Sequence, residues 1–207
     1  MTDLSLSEPP QPDLRQLVCD AVSQMMTMPD LPDDQRLDGA VQPDEIAIRC
    51  QRTWHDISTV NARINGGSFS ACVGQFERNG ELYSYFVEAV SPPGDSKWHA
   101  MGSSGGKMPA VMRDRAGGFM LSGGSHVCAG GLGQVEHGGT LRIEMADGTS
   151  YEDRSIDGCC IVFAPVTSAP SPDDHIRVRV FNADGIEDSM KRVRLGDGRT
   201  PPPRPER

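Results

Sequence analysis

The segment Thr140–Phe163, TLRIEMADGTSYEDRSIDGCCIVF, carries the clearest strand and turn signals of the chain and decides the predicted fold. Its first part alternates apolar and polar residues, which is the period-two pattern of a strand with one buried face. The apolar members of this pattern are Leu141, Ile143 and Met145. After a turn at Asp157–Gly158, the run Cys159–Phe163 is continuously apolar, as is typical of a core strand. The segment predicts a β-hairpin followed by a buried strand.

The loop of this hairpin has two possible forms. A two-residue turn at Asp147–Gly148 would pair Ile143 with Glu152 and bring charge onto the apolar face. A three-residue loop, Ala146–Gly148 with the glycine left-handed, pairs Ile143 with Tyr151 and Arg142 with Glu152. Both faces then keep their polarity, so the three-residue loop is predicted.

The rest of the chain shows the same pattern of short strand segments separated by turn residues. Segments 68–78 and 81–90 flank Asn79–Gly80, a pair that favours a tight type I′ hairpin turn. Segment 45–52 alternates, with Ile46, Ile48 and Cys50 expected to face inward, and segment 175–182 ends in the same tripeptide as the first hairpin, Ala183–Gly185.

Composition agrees with a β-rich chain. Among 207 residues there are 23 glycines and 16 prolines, and aromatic residues make up 5%, which favours strands and turns over a helical bundle. No alternation of strands and helices indicates a parallel α/β fold. The predicted fold is mainly β, an antiparallel β-sandwich of eight to ten strands, Ig-like or jelly-roll-like, with one N-terminal amphipathic helix.

That helix is predicted over residues 13–28. Asp13 would cap it, with Gln16 completing a capping box, and Met28–Pro29 would end it. Its apolar residues recur at helical spacing and form one face: Leu14, Leu17, Val18, Ala21, Val22, Met25 and Met26. This face is expected to pack either on the sheets of its own chain or on a partner helix or groove.

The domain organisation follows from composition. We predict a disordered segment 1–12, the helix 13–28, an acidic linker 29–44, a β-sandwich domain 45–190 and a basic, proline-rich tail 191–207. Residues 1–45 hold ten acidic side chains against two arginines, whereas residues 190–207 have a net charge of +4. The charged ends could attract each other or partners of opposite sign, and solvated tails are the simpler interpretation.

Charge and hydropathy exclude some classes of function. The net charge of −9 argues against nonspecific nucleic-acid binding. No signal peptide and no apolar run of membrane-spanning length is expected, so the protein is expected to be cytoplasmic and its six cysteines to be thiols.

Catalytic signals are sparse. His126 and Cys128 would share one face of a strand, so a cysteine nucleophile with a histidine base is possible, oriented by His137 or by a carboxylate. The structural alternative is a small core thiol beside a surface histidine. Segment 102–107, GSSGGK, departs from the phosphate-binding loop pattern because Met101 and Met108 stand where glycine and serine or threonine are required.

Few sequence patterns indicate a metal or ligand site, and no metal or cofactor is predicted. The candidate ligands lack paired C-x2–4-C spacing, and adjacent cysteines in a strand point to opposite faces. These candidates are His126, Cys128, His137, Cys159, Cys160 and His175. The dipeptides Trp54–His55 and Trp98–His99 could line a small ligand pocket or serve as core anchors. Segment 202–205 is a minimal proline-rich docking motif whose simplest interpretation is an ordinary tail.

Residues 118–190 resemble uncharacterised bacterial proteins that carry a hairpin of the type VRLxxADGTxxEDxVxDGxxLF. The match here is LRIEMADGTSYEDRSIDGCCIVF, and its most specific part is the spacing DGTxxED…DG. Cys159 and Cys160 depart from the usual aliphatic residues. The resemblance implies a β-sandwich module and assigns no activity to any residue.

These observations favour a non-enzymatic β-sandwich binding or interaction module. Its expected partner is another protein, bound through the N-terminal helix or the charged tails. The alternatives are a small cysteine-dependent enzyme that uses Cys128 and His126, and a sensor or regulatory protein that acts with a neighbouring gene product.

Overall fold

A computed structural model describes residues 11–31, 36–62, 64–95, 97–109, 116–122, 126–169, 171 and 173–195, with the backbone alone for 116–122. These residues form one α-helix and eleven strands, and every strand pairing is antiparallel. The helix is α1 (Leu14–Met26), and the strands are β1 (Ala47–Trp54), β2 (Ser68–Arg78), β3 (Glu81–Ser91), β4 (His99–Met108), β5 (Ala116–Ser122), β6 (His126–Leu132), β7 (Thr140–Glu144), β8 (Ser150–Arg154), β9 (Cys159–Pro165), β10 (His175–Phe181) and β11 (Glu187–Arg194). The prediction of a mainly β chain with antiparallel sheets and one helix is confirmed.

The strands form three sheets. The first sheet has the order β1-β2-β3-β4, the second β5-β6-β9 and the third β11-β10-β7-β8. The edge strands include β1 in the first sheet, β9 in the second and β8 in the third.

The predicted turns are confirmed. In the β7–β8 hairpin Ile143 pairs with Tyr151 and Arg142 with Glu152, and Gly148 is left-handed with φ 87°. Asn79 and Gly80 both have positive φ, 54° and 77°, as a type I′ turn requires. Segment Ala183–Gly185 repeats the three-residue loop, with Asn182 N–H donating to the Ile186 carbonyl at 2.8 Å.

Helix α1 packs on the first sheet. Asp13 caps it, since its Oδ1 accepts a hydrogen bond from the Gln16 backbone N–H at 3.1 Å. The Gln16 side chain donates to Asp20 instead of returning to Asp13, so the expected capping box is only half formed. The buried helix residues Leu14, Leu17, Val18, Ala21 and Val22 share one core cluster with residues of β2 and β3. The apolar face was expected to pack either on the sheets of its own chain or on a partner, and in the structure it packs on the first sheet of its own chain.

A β-bulge changes the expected facing of β1. The register with β2 shifts between Ile48 and Cys50, which leaves Arg49 as the extra residue. Ile46 and Ile48 therefore pack with the helix, whereas Cys50 packs in the cluster on the opposite face of the sheet. The prediction that these three residues face the same way is wrong, because the bulge interrupts the period of two.

The core is divided among three clusters. The first joins α1 to the first sheet, the second joins the first sheet to β6 and β9, and the third joins β6 and β9 to the third sheet. Every residue of β6 is buried because neighbouring side chains of this strand enter different clusters. The continuous apolar run of Cys159–Phe163 has the same explanation, since β9 is covered on both faces.

Some boundaries differ from the sequence prediction. Segment 102–107 lies inside β4, and β11 includes residues 191–194, which were assigned to the tail. Ala116 begins β5, and residues 110–115 fall outside the described residues. The predicted disordered segment and the proline-rich tail also lie outside them, except for Gln11, Pro12 and residues 191–195.

Candidate functional site

The candidate site is a cleft of about 320 Å³ where the edge strands of all three sheets meet. Strand β1 contributes Arg52 and Trp54, β9 contributes Ile161 and Phe163, and β8 contributes Tyr151. The loop after β1 closes one side with residues 55–58. The volume lies at the lower end of the range of small-ligand pockets.

Aromatic side chains form the walls of this cleft. The ring centroids of Trp54 and Phe163 are 5.3 Å apart, and Phe163 stacks on Phe69 at 4.3 Å. The bulge at Arg49 is the reason why Trp54 is here: it turns the second half of β1 towards β9. Since Phe163 is buried while Trp54 and Tyr151 are half-buried, the cleft has a fixed apolar floor and accessible aromatic sides.

Asp153 joins the three sheets at the base of the cleft. Its Oδ2 accepts hydrogen bonds from Arg52 Nε and from the Ile161 backbone N–H, both at 2.9 Å. Its carbonyl oxygen accepts from the Cys160 thiol at 3.2 Å. One β8 residue thereby binds a β1 side chain and a β9 backbone group, so it connects the walls of the cleft.

A disulfide between Cys50 and Cys159 links β1 to β9 beside this joint, with a Cα–Cα distance of 5.2 Å. The expectation that all six cysteines are thiols is wrong for this pair. The partners are 109 residues apart in sequence and meet only when the first and second sheets pack. Cys19, Cys72, Cys128 and Cys160 are free thiols, and all four are buried.

The rim of the cleft is polar. His55 Nδ1 lies 2.9 Å from the Ser68 hydroxyl, which holds the ring at the side of the cleft. Asp56 follows in the left-handed conformation with φ 52° and is exposed. Glu152 is exposed on the other side, and its carboxylate pairs with Arg142 at 2.8 Å. The charged lining residues are Arg52, Asp56, Glu152 and Asp153, a net charge of −2.

The structure brings the predicted residues Cys128 and His126 together in the interface between the first and second sheets. A third member, Glu88 of β3, was not predicted: its Oε2 lies 3.2 Å from His126 Nε2, and both side chains are fully buried. Among the described residues Glu88 Oε1 has no hydrogen-bond partner. The sequence signal for Glu88 is that it is the one charged residue in the mainly apolar stretch 82–90, LYSYFVEAV.

This buried cluster is not set up for nucleophilic attack. Burial raises the pKa of the Cys128 thiol well above its usual value, and the charge of Glu88 raises it further. The thiol therefore stays protonated, whereas a nucleophile must be a thiolate. His137 lies elsewhere, where its Nδ1 accepts from the Asp157 backbone N–H at 3.3 Å.

The other sequence candidates are separate from both places. Trp98 packs against the helix cluster, and His99 pairs with Asp95 at 2.9 Å, so only the first tryptophan–histidine dipeptide reaches the cleft. Within the part of the chain that the structure describes, no group of three or more histidine, cysteine or acidic residues is arranged to hold a metal ion. His175 lines a different depression of about 440 Å³, whose described lining residues include no tryptophan, tyrosine or phenylalanine.

The sequence matches no protein-family model, and no curated protein shows significant similarity to it. The resemblance of residues 118–190 to bacterial proteins of unknown activity therefore stays a prediction. Over the described ranges, no helix has the length and apolar character needed to cross a membrane.

Proposed function

We propose that this protein is a non-enzymatic binding module and that the cleft between β1, β8 and β9 is its ligand site. The observation that supports this proposal is the aromatic lining of the cleft by Trp54, Tyr151 and Phe163. Ligand pockets are typically concave, largely apolar and equipped with a few polar groups that orient the ligand. Arg52, His55 and Asp56 supply such groups here.

The rigid construction of the cleft favours binding. A site that is held open before the ligand arrives loses less conformational freedom when the ligand binds. The disulfide and the Asp153 joint both connect the two main walls. We infer that the cleft is preorganised and does not need to form around its ligand.

The stacking of the three sheets is also a proposal. Core clusters between the first and second sheets and between the second and third support a sandwich-type packing. The β1-β2-β3-β4 order is a simple meander, and the choice between an Ig-like and a jelly-roll-like topology remains a prediction.

The cysteine-dependent enzyme is the second candidate function. Its support is the proximity of Cys128, His126 and Glu88, a thiol, an imidazole and a carboxylate in one cluster. Complete burial of the cluster weighs against it, because a substrate would have to separate the first and second sheets to reach the sulfur. A sensor or regulatory role would use the same cleft, with a ligand as its signal.

A protein partner remains part of the proposal. The apolar face of α1 is occupied by the first sheet, so a partner would meet its polar side or the charged ends of the chain.

For the location of the protein, we still propose the cytoplasm. The Cys50–Cys159 disulfide weighs against this location because cytosolic disulfides are rare. Thiol alkylation in acid-quenched cells tests it: protection of two cysteines indicates an oxidising compartment, and full alkylation supports the cytoplasm.

The natural fluorescence of the protein tests the ligand site. There are two tryptophans, Trp54 in the cleft and Trp98 beside the helix. In the variant Trp98→Phe, Trp54 is the only tryptophan reporter, and a fragment library is screened for compounds that change its emission. We expect several compounds to bind with dissociation constants in the range from about 0.1 to 1 mM, which is usual for small fragments.

The matched control is Trp54→Phe, which leaves Trp98 as the reporter on the opposite face of the first sheet. True cleft ligands change Trp54 emission, leave Trp98 emission unchanged and lose affinity in Tyr151→Ala. If no compound in the library affects Trp54 more than Trp98, the cleft is not a ligand site and the proposed function fails.

A further inference from the structure

We propose that the ligand of the cleft is a small organic cation, an ammonium or similar group joined to an apolar or aromatic body. This inference rests on the proposed function, because it names the chemical class of ligand for the same cleft. It is carried by two features together, the aromatic walls and the excess of negative charge at the rim.

The aromatic walls suit both halves of such a ligand. The side chains of Trp54 and Tyr151 are half-buried and both line the cleft, the first from β1 and the second from β8. Aromatic faces carry negative electrostatic potential, so they attract a cation as well as an apolar ring. An anionic ligand would be repelled by the same faces.

The charges at the cleft do not favour an anion. Among the described lining residues the one arginine is Arg52, which already binds Asp153 and donates to the Gln51 carbonyl at 2.9 Å, so its charge is compensated. Of the net charge of −2 among the described lining residues, Glu152 is paired with Arg142, so the Asp56 carboxylate is the negative charge that is left uncompensated.

We assign the binding of the cation to the carboxylate of Asp56. Among the described residues no side chain forms a hydrogen bond or ion pair with its carboxylate, in contrast to Asp153 and Glu152. Its left-handed backbone, with φ 52°, comes directly after Trp54 and His55. A non-glycine residue in this conformation is uncommon, and aspartate and asparagine are the residues that tolerate it best.

The left-handed backbone at Asp56 allows a variant that changes only the charge of the side chain. Asn tolerates the left-handed conformation as Asp does, so Asp56→Asn removes the charge without adding backbone strain. The matched control is Asp188→Asn, a loss of one exposed negative charge on β11, outside the cleft. Both variants change the net charge of the protein by the same amount.

The experiment compares three probes that differ only in the polar end: 2-phenylethylamine, 2-phenylethanol and 3-phenylpropionate. Binding is followed by Trp54 emission in the Trp98→Phe background, excited where these probes do not absorb. We expect the amine to bind about tenfold more tightly than the alcohol, and the acid to bind weakest. Asp56→Asn should remove most of the preference for the amine, and Asp188→Asn should leave it unchanged.

Two results would overturn the proposal. One is equal or tighter binding of the alcohol or the acid, which would reject the cation while leaving a working ligand cleft. The other is that none of the three probes affects Trp54 although fragments of the library do. Failure of the whole library, by contrast, would reject the proposed function itself, so the two failures can be told apart.

Discussion

Arg52 and Asp153, 101 residues apart, form an ion pair of 2.9 Å that ties the edge of the first sheet to the edge of the third. The same Asp153 oxygen accepts the backbone N–H of Ile161 on β9. A single carboxylate therefore holds three edge strands together, at the place where the cleft forms. This arrangement explains why the cleft lies at a junction of sheets and not in the middle of one.

Removing the Asp153 carboxylate should loosen this junction. Asp153→Ala leaves the Ile161 N–H buried without its acceptor and Arg52 without its carboxylate. We expect the free energy of unfolding to fall by about 2–3 kcal/mol in urea denaturation. Glu152→Ala, which removes the exposed partner of Arg142, should cost less than about 1 kcal/mol. Equal losses for the two variants would show that Asp153 is an ordinary surface acid.

The Cys50–Cys159 disulfide should be a main source of stability, because it closes a loop of over a hundred residues in the unfolded chain. The double variant Cys50→Ser/Cys159→Ser is expected to lose about 2–4 kcal/mol of unfolding free energy. Dithiothreitol should destabilise the wild-type protein by a similar amount and leave the double variant unaffected. A wild-type protein that does not respond to the reductant under unfolding conditions would contradict the bond.

Thiol counting separates the binding module from the cysteine-dependent enzyme. All four free cysteines are buried, and burial raises the pKa of Cys72 and of Cys160 to about 12. In the native, oxidised protein we expect no cysteine to react with a maleimide within minutes at neutral pH, four to react after denaturation and six after denaturation and reduction. Fast native labelling of Cys128 would instead support the enzyme.

The sequence predicted those features that depend on neighbouring residues. The loop at Ala146–Gly148 and the turn at Asn79–Gly80 follow from local backbone requirements and from keeping the polarity of each face. The helix was predicted for the same reason, since its apolar residues repeat at helical spacing. Even its packing against a sheet was among the two expected outcomes.

The sequence could not predict what depends on the packing of whole sheets. The bulge at Arg49 interrupts a pattern that looks regular, and it decides that Cys50 and Trp54 face β9. The dipeptides at Trp54 and at Trp98 are identical in sequence, and only the tertiary structure separates a cleft wall from a residue packed at the helix. Asp153 and Glu88 look like ordinary strand acids until their distant partners are known.

The buried pair Glu88–His126 should be costly to break and less costly to replace. His126→Leu leaves a fully buried carboxylate without the imidazole, and we expect a loss of about 3–5 kcal/mol of unfolding free energy. Glu88→Leu/His126→Leu removes both polar groups, so the double variant should be more stable than His126→Leu alone. A urea-denaturation cycle of the four proteins measures the coupling, and additive losses would contradict it.

Close contact between Gly74 and Val18 fixes the position of the helix on the first sheet. A Cβ at residue 74 would lie 2.7 Å and 3.0 Å from the two Val18 methyl carbons, closer than carbon atoms pack. Gly74→Ala should therefore lower the free energy of unfolding by about 1–3 kcal/mol, through overpacking.

The double variant Val18→Ala/Gly74→Ala tests the direction of this argument, because it removes the two nearest methyl groups that the new Cβ would meet. Val18→Ala alone leaves a cavity and is expected to cost about 1–2 kcal/mol. In the double variant the new methyl group partly fills that cavity, so its loss should be smaller than the sum of the two single losses. A helix that bound a partner instead of its own sheet would give Gly74→Ala and Val18→Ala no shared contact, and their effects on stability would then simply add.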